Sequence, residues 1–290
     1  MVSGRLRASM VRLVEEYRSD SNRRFLVELA DGARVEAVVY RGDTLCISSQ
    51  VGCAVACPFC ASGARGFARN LTLEELLEQV QAVADLGVGL SRVTVSGVGE
   101  PLHNRHLLPF IERCRAMRIG PSVTTTGGPL NRLPDLLRSI HNGVTLSIHA
   151  GTEETRARAV PNGPALAPLF DTLRQVVPTL SGRRKRRLAL AYLMVAGLND
   201  TDTELDSFGA LVAPLGATIH LYDYNPVPTS DHRPVGRDRY EAAYKRLTAF
   251  GLRVRMSSKA RLDENGGCGT LLATSRRPLL STPGRRLALL

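Results

Sequence analysis

The run Cys46-Ile-Ser-Ser-Gln-Val-Gly-Cys53-Ala-Val-Ala-Cys57-Pro-Phe-Cys60-Ala-Ser-Gly63 holds four of the six cysteines in the chain. Cys53, Cys57 and Cys60 follow a C-x3-C-x2-C spacing. Fully ligated four-iron clusters use four cysteines, so a set of three leaves one iron open to a substrate or cofactor. Open catalytic zinc sites differ from closed structural ones in the same way, but a zinc ion here would need a fourth ligand. No His or Cys stands at a suitable local spacing to provide it.

Working outward, the residues before the loop are β-patterned. Phe25–Leu29 and Val35–Val39 flank Asp31-Gly32, a strong hairpin signal, and Leu45–Ser48 leads into the cysteines. Ser9–Tyr17 reads as a short amphipathic helix in an N-terminal tail spanning 1–24, followed by a hairpin extension over 25–44. After the loop the period changes. Thr72-x-x-Glu75 is a capping box that opens a helix with Leu73, Leu76, Leu77 and Val80 on one face. Strands at 92–96, 122–126, 145–148, 188–194, 218–222 and 253–256 then alternate with helices at 105–118, 132–140, 166–180, 201–215 and 239–250. This alternation predicts an α/β fold with a parallel sheet. About six βα units are too few to close an eight-stranded barrel, so the expectation is an open partial (β/α)6 barrel of the TIM type over 45–260.

In such folds the chemistry sits at the carboxyl ends of the strands. The cysteine loop, Gly97-Val-Gly99-Glu100-Pro101, Thr124-Thr-Thr-Gly127, Ser147-Ile148-His149 and Tyr224-Asn225-Pro226 all fall there. Each is weak alone; five on one edge of one sheet are harder to set aside.

These motifs resemble the radical S-adenosylmethionine (SAM) superfamily and, within it, the RlmN/Cfr adenine methyltransferases. The resemblance runs in order through Thr44–Cys53, Gly66–Leu71, Gly97–Leu102, Ser147–Ala150, Asn225–Pro228 and Gly267–Leu271. It implies a [4Fe-4S] cluster on Cys53, Cys57 and Cys60, with SAM on the open iron. Gly99, Glu100, Thr124, Ser147, Ile148, His149 and Asn225 match the positions that contact SAM. Cys268, in a segment spanning 261–290, matches the cysteine that is methylated by one SAM. A radical generated from a second SAM then takes a hydrogen from that methyl group. The carbon radical adds to an sp2 carbon of adenine in RNA (rRNA or tRNA), and Cys46 resolves the adduct as a disulfide with Cys268. Glu36 matches the proton acceptor, and its alternative reading is an outward residue on an alternating strand. Cys114, four residues after Phe110 on a helix, reads as core packing.

The chain departs from the family pattern in the short stretch before the first hairpin, where larger members carry an RNA-binding domain. The basic run Arg183-Arg-Lys-Arg-Arg187 precedes a strand, which puts it on the face opposite the cluster. Two rival readings follow: the same chemistry on a small heteroaromatic or peptide substrate, and an iron–sulfur RNA-binding protein without catalysis.

Composition agrees with the first reading. A net charge of +11 favours an anionic partner, although only Lys185, Lys245 and Lys259 among the 38 basic residues are lysines, as an arginine-rich genome would also produce. No apolar run approaches the roughly 20 residues a membrane span needs. No signal-peptide pattern is visible. The expectation is a cytoplasmic monomer served by an external one-electron reductant.

Overall fold

The computed structural model describes residues 9–257. Ten strands form one sheet. Four antiparallel strands come first: β1 (Val11–Arg18), β2 (Asn22–Leu29), β3 (Arg34–Tyr40) and β4 (Thr44–Ile47). A small separate ribbon pairs β5 (Gln50–Gly52) with β6 (Phe67–Asn70) across the cysteine loop. The main sheet continues from β4 in parallel through β7 (Arg92–Val95), β8 (Gly120–Thr125), β9 (Gly143–Ser147), β10 (Leu188–Met194), β11 (Thr218–Asp223) and β12 (Arg253–Met256). Helices α1 (Leu73–Ala84), α2 (Leu107–Ala116), α3 (Leu133–Arg138), α4 (Glu153–Ala159), α5 (Leu166–Val176), α6 (Gly182–Lys185), α7 (Asp202–Val212) and α8 (Arg237–Ala249) fill the connections. The first strand of the sheet is β1 and the last is β12, so the barrel is open as expected.

One element overturns its reading. Val11–Arg18, expected within a short helix, is strand β1, paired antiparallel with β2. The pattern Val11-x-Leu13 suits either period, and long-range pairing decides. The open edge of β2 needs a partner, and cross-strand Arg12–Glu28 and Arg23–Glu16 ion pairs suit one. The Met10 and Val11 amides are held by Glu78 of α1.

The parallel strands alternate in a way parallel strands rarely do. One face carries Val93, Val95, Val123, Val144, Leu146, Leu190, Tyr192, Ile219 and Leu221, all buried in the main core against the helices. The opposite face carries Thr94, Ser96, Ser122, Thr124, Thr145, His220 and Tyr222, which line a cavity of about 540 Å³. Parallel sheets usually bury both faces in apolar side chains, and closed barrels pack their interiors. Here the main core lies on the helix side of the barrel wall, with a small Leu26–Val98 cluster on the other face, and polar side chains interleave with apolar ones around an open lumen.

Candidate active site

The capping box forms as expected. The Glu75 amide donates to Thr72 Oγ1 at 3.1 Å, and the Thr72 amide donates to Glu75 Oε2 at 2.8 Å. Starting α1 there directs the chain out of the β5–β6 ribbon, which closes the cysteine loop. Cys53 N donates to Gly66 O at 2.9 Å. A Cβ at Gly52 would lie 2.0 Å from that same carbonyl oxygen, so only glycine fits, and its φ of 76° suits no other residue.

Val55 and Phe59 of the loop pack on Ala159, Val160, Val195, Leu198 and Tyr224, with Cys53, Cys57 and Cys60 against the same cluster. Asn162 ties the loop from below, donating from Nδ2 to Ala54 O at 2.8 Å. Burial pushes the Cys53 thiol up to about 11 and holds Cys57 well above its ordinary value, with the neighbouring sulfurs adding to both. Burial in this apolar nest disfavours the thiolates of Cys53 and Cys57. An attached metal reverses that balance, because a coordinating thiol is deprotonated by the ion it binds. Ser62 Oγ and the Tyr224 hydroxyl, buried beside this nest, find no hydrogen-bond partner among the described residues. Thiol donors suit an iron–sulfur cluster by their chemistry; as they stand, no three His, Cys, Asp or Glu side chains among the described residues are grouped to hold a metal ion.

The glycine motif is fitted to the same floor. Ser49 N and Gln50 N both donate to Val98 O, and Glu100 N donates to Gln50 Oε1 at 2.7 Å. A Cβ on Gly99 would meet the Gln50 side chain at 2.6 Å, and its φ is 111°. Glu100 itself is 2% exposed. Burial raises its pKa against the pull of its donors. Those donors are Leu102 N at 3.0 Å, Thr126 N at 2.7 Å, Thr126 Oγ1 at 2.8 Å and the Thr125 hydroxyl. They fill all of the roughly four lone-pair positions a carboxylate has. A ligand ammonium would have to take the place of one of the threonine hydroxyls. Glu100→Gln is expected to lower the unfolding free energy by about 2–4 kcal/mol, because an amide NH2 would face two of the four donors. A urea midpoint unchanged at constant m would refute that account.

The three threonines divide their work. Thr125 and Thr126 hold Glu100, while Thr124 faces the lumen. Ile148 N and His149 N both donate to Ala191 O, which turns the chain sharply at the end of β9. His149 has a φ of 57°. Its Nδ1 accepts from Leu193 N at 3.0 Å, which leaves the ring proton on Nε2, and the ring meets Phe59 edge-on at 5.6 Å. Asn225 is half-buried on the segment after β11.

Cys46 and Glu36 lie apart from the triad. Both are buried, both line the lumen cavity, and Cys46 Sγ lies 3.1 Å from Ser96 Oγ. Glu36 is therefore not an outward residue: Cys46 pairs with Val38, two positions from Glu36 on the same face of β3. Cys114 is buried in the core, as expected. Cys268 lies outside the described residues.

Sequence reading missed what holds these pieces together. Arg156 of α4 is 1% exposed. It donates to Thr126 O at 3.1 Å, Ser147 O at 2.7 Å, Ile148 O at 2.7 Å and Pro164 O at 2.9 Å. Helix α4 is capped from outside by Glu204 of α7, which accepts from the Thr152 amide and from the Thr152 and Thr155 hydroxyls. Asn199 donates to His149 O and Leu193 O, both at 2.8 Å. A Thr152 cap followed by Glu153 and Glu154 was a usable helix signal; a buried arginine has none.

An open parallel barrel carrying a three-cysteine loop after its first parallel strand is the architecture of the radical SAM superfamily, whose family model matches residues 47–208. The chain is 34% identical to the dual-specificity RNA methyltransferase RlmN of Solidesulfovibrio magneticus, over 92% of this chain and 80% of that protein. It is 32% identical to RlmN 1 of Myxococcus xanthus, over 91% and 77%. A radical SAM methyltransferase from Sphaerobacter thermophilus superposes with a TM-score of 0.77 at 27% identity, over 90% of this chain and 81% of that one. The chain belongs to the RlmN family of radical SAM methyltransferases. The superfamily implies a [4Fe-4S] cluster and SAM. Among the described residues no helix is long and apolar enough to cross a membrane.

Proposed function

We propose that this chain methylates an sp2 carbon of adenine in RNA, with the methyl group passing through Cys268. The observation that carries the reading is the placement of Cys46, buried on the lumen wall away from the metal-ligating triad and sharing one cavity with Glu36. A spare thiol beside a carboxylate suits resolution of a covalent adduct better than metal binding. The named relatives are RNA methyltransferases, which supports RNA as the substrate class.

In this reading Cys53, Cys57 and Cys60 ligate the cluster. The cluster and SAM, when bound, supply the one-electron reductive chemistry that makes an unreactive methyl group reactive. Gly99 allows close backbone approach of SAM, Glu100 pairs with its ammonium, and Ser147, Ile148, His149, Asn225 and Thr124 complete the contacts. Glu36 accepts the ring proton. Cys46, as a thiolate, attacks the Cys268 sulfur to form the disulfide; the carbon–sulfur electron pair stays on the methylene carbon, a proton completes the methyl group, and the adduct's odd electron would be taken up by the one-electron centre that Cys53, Cys57 and Cys60 would hold. The reductant is external and the RNA is rRNA or tRNA.

The test is anaerobic reconstitution with SAM, a one-electron reductant and RNA, followed by nucleoside mass spectrometry. Methyladenosine is expected from the wild type. Cys46→Ala is expected to stall as a protein–RNA adduct with no free product. Normal product release by Cys46→Ala would eliminate the two-cysteine route.

A further inference from the structure

The polar lumen has a strongly basic mouth at the amino ends of its strands. Arg41 in the β3–β4 turn, Arg92 at the first residue of β7, and Arg186 and Arg187 just before β10 line the same cavity as Cys46. The basic run lies at the amino ends of the strands, as its position before a strand suggested, and its last two residues, Arg186 and Arg187, rim the chamber that Cys46 lines. Arg24 and Arg255 also line the cavity, and among the described residues Glu36 is the only carboxylate in its wall.

Among the described residues, Arg41, Arg92, Arg186, Arg187 and Arg255 take part in no ion pair. Arg187 donates one bond, to the carbonyl of His141 at 2.9 Å. Asp43, hydrogen-bonded by Ser91 and Thr44, offsets Arg92 only in part. Arg187 is held below its ordinary value chiefly by burial, with Arg183 and Arg115, which lie outside the cavity, adding to the effect. Such a rim repels itself unless an anion fills it, and guanidinium groups match phosphate oxygens two at a time.

Depth matters as well. Cys46 pairs with Thr94, two residues along β7 from Arg92. At a rise of about 3.3 Å per residue the thiol lies only about 7 Å inside the rim. Thr94, Ser122, Thr145, His220 and Tyr222 offer donors and acceptors over that depth.

We propose that this amino-end mouth is a phosphate-binding site for single-stranded RNA, holding a backbone phosphate of the substrate strand at the end of the barrel away from the cysteine loop. The inference rests on RNA being the substrate class.

The test uses the full-length reconstituted protein and an adenine-containing single-stranded RNA oligonucleotide. Its affinity is measured against salt for the wild type, for R41A/R92A/R186A, and for R113A/R138A/R158A, which removes equal charge from exposed helix positions. The rim variant is expected to bind at least about tenfold more weakly than the control variant. Its log–log salt slope should be shallower by about 0.7, as expected for one lost single-strand phosphate contact. Equal affinities and slopes for the two variants would overturn the proposal while leaving the RNA reading intact. A wild type that binds no RNA at low salt would overturn the RNA reading itself. Adenosine monophosphate and inorganic phosphate are titrated in parallel. If the rim substitutions abolish binding of these small anions but leave RNA affinity unchanged, the mouth serves a separate anion and the proposal fails.

Discussion

Arg156→Met is expected to lower the unfolding free energy by about 3–5 kcal/mol, the range seen when one partner of a buried charged network is removed. The side chain spends its donors on four main-chain carbonyls: Thr126 after β8, Ser147 and Ile148 at the end of β9, and Pro164 beyond α4. Burial pulls its pKa down to about 10, so it stays charged at neutral pH. Hydrogen bonds from a charged donor contribute about 1.5–3 kcal/mol each, and removing the guanidinium recovers its desolvation cost, so the net loss falls below the sum. Methionine fills most of the volume and supplies no donor. Arg156→Lys should be intermediate, because one ammonium cannot span four divergent carbonyls. Equilibrium urea unfolding at constant m decides the matter; a loss under about 1 kcal/mol would show that the carbonyls find other partners. Because Ser147 and Ile148 stand among the proposed SAM contacts, SAM affinity should fall in Arg156→Lys even where the protein stays folded.

Cys57→Ala is expected to abolish cluster assembly and with it all reductive SAM cleavage, whereas Cys46→Ala should keep both and lose only product release. Cys57 sits deepest in the nest, its thiol raised by burial and by Cys60 and Cys53. In the proposed ligation, removing it leaves two cysteines where the cluster requires three or four. Iron and sulfide analysis with the visible spectrum of the reconstituted protein reads the first half, and 5′-deoxyadenosine formation reads the second. Cluster retention by Cys57→Ala, or cluster loss in Cys46→Ala, would contradict the division of the cysteines into two sets. Cys114→Ala, in the core behind α2, should alter stability without touching either measurement.

Much of this was legible in the chain itself. The βα alternation, the Thr72 capping box and the five strand-end motifs depend on residues close in sequence, so their physics is local. The alternation of Thr, Ser and His with Val, Leu and Ile on the parallel strands also stood in the sequence, and it signals a hollow lumen once the sheet is known to be parallel. The reading of Ser9–Tyr17 failed because its outcome depended on an edge of β2 that local propensity does not see.

By itself, then, the sequence determined the parallel barrel, the cysteine triad, the strand-end motifs and the family, since each rests on period or spacing along the chain. Only the tertiary structure decided what surrounds them. It buried Arg156 where three strand-end carbonyls converge, brought Glu204 across to cap α4, and turned Glu36 inward beside Cys46. It also placed Arg186 and Arg187 at the mouth of the chamber that Cys46 faces. Those relations join residues on different elements, from eight positions apart for Arg156 and Ile148 to fifty-two for Thr152 and Glu204, and the curvature of the open sheet, rather than any local preference, sets the distances between them.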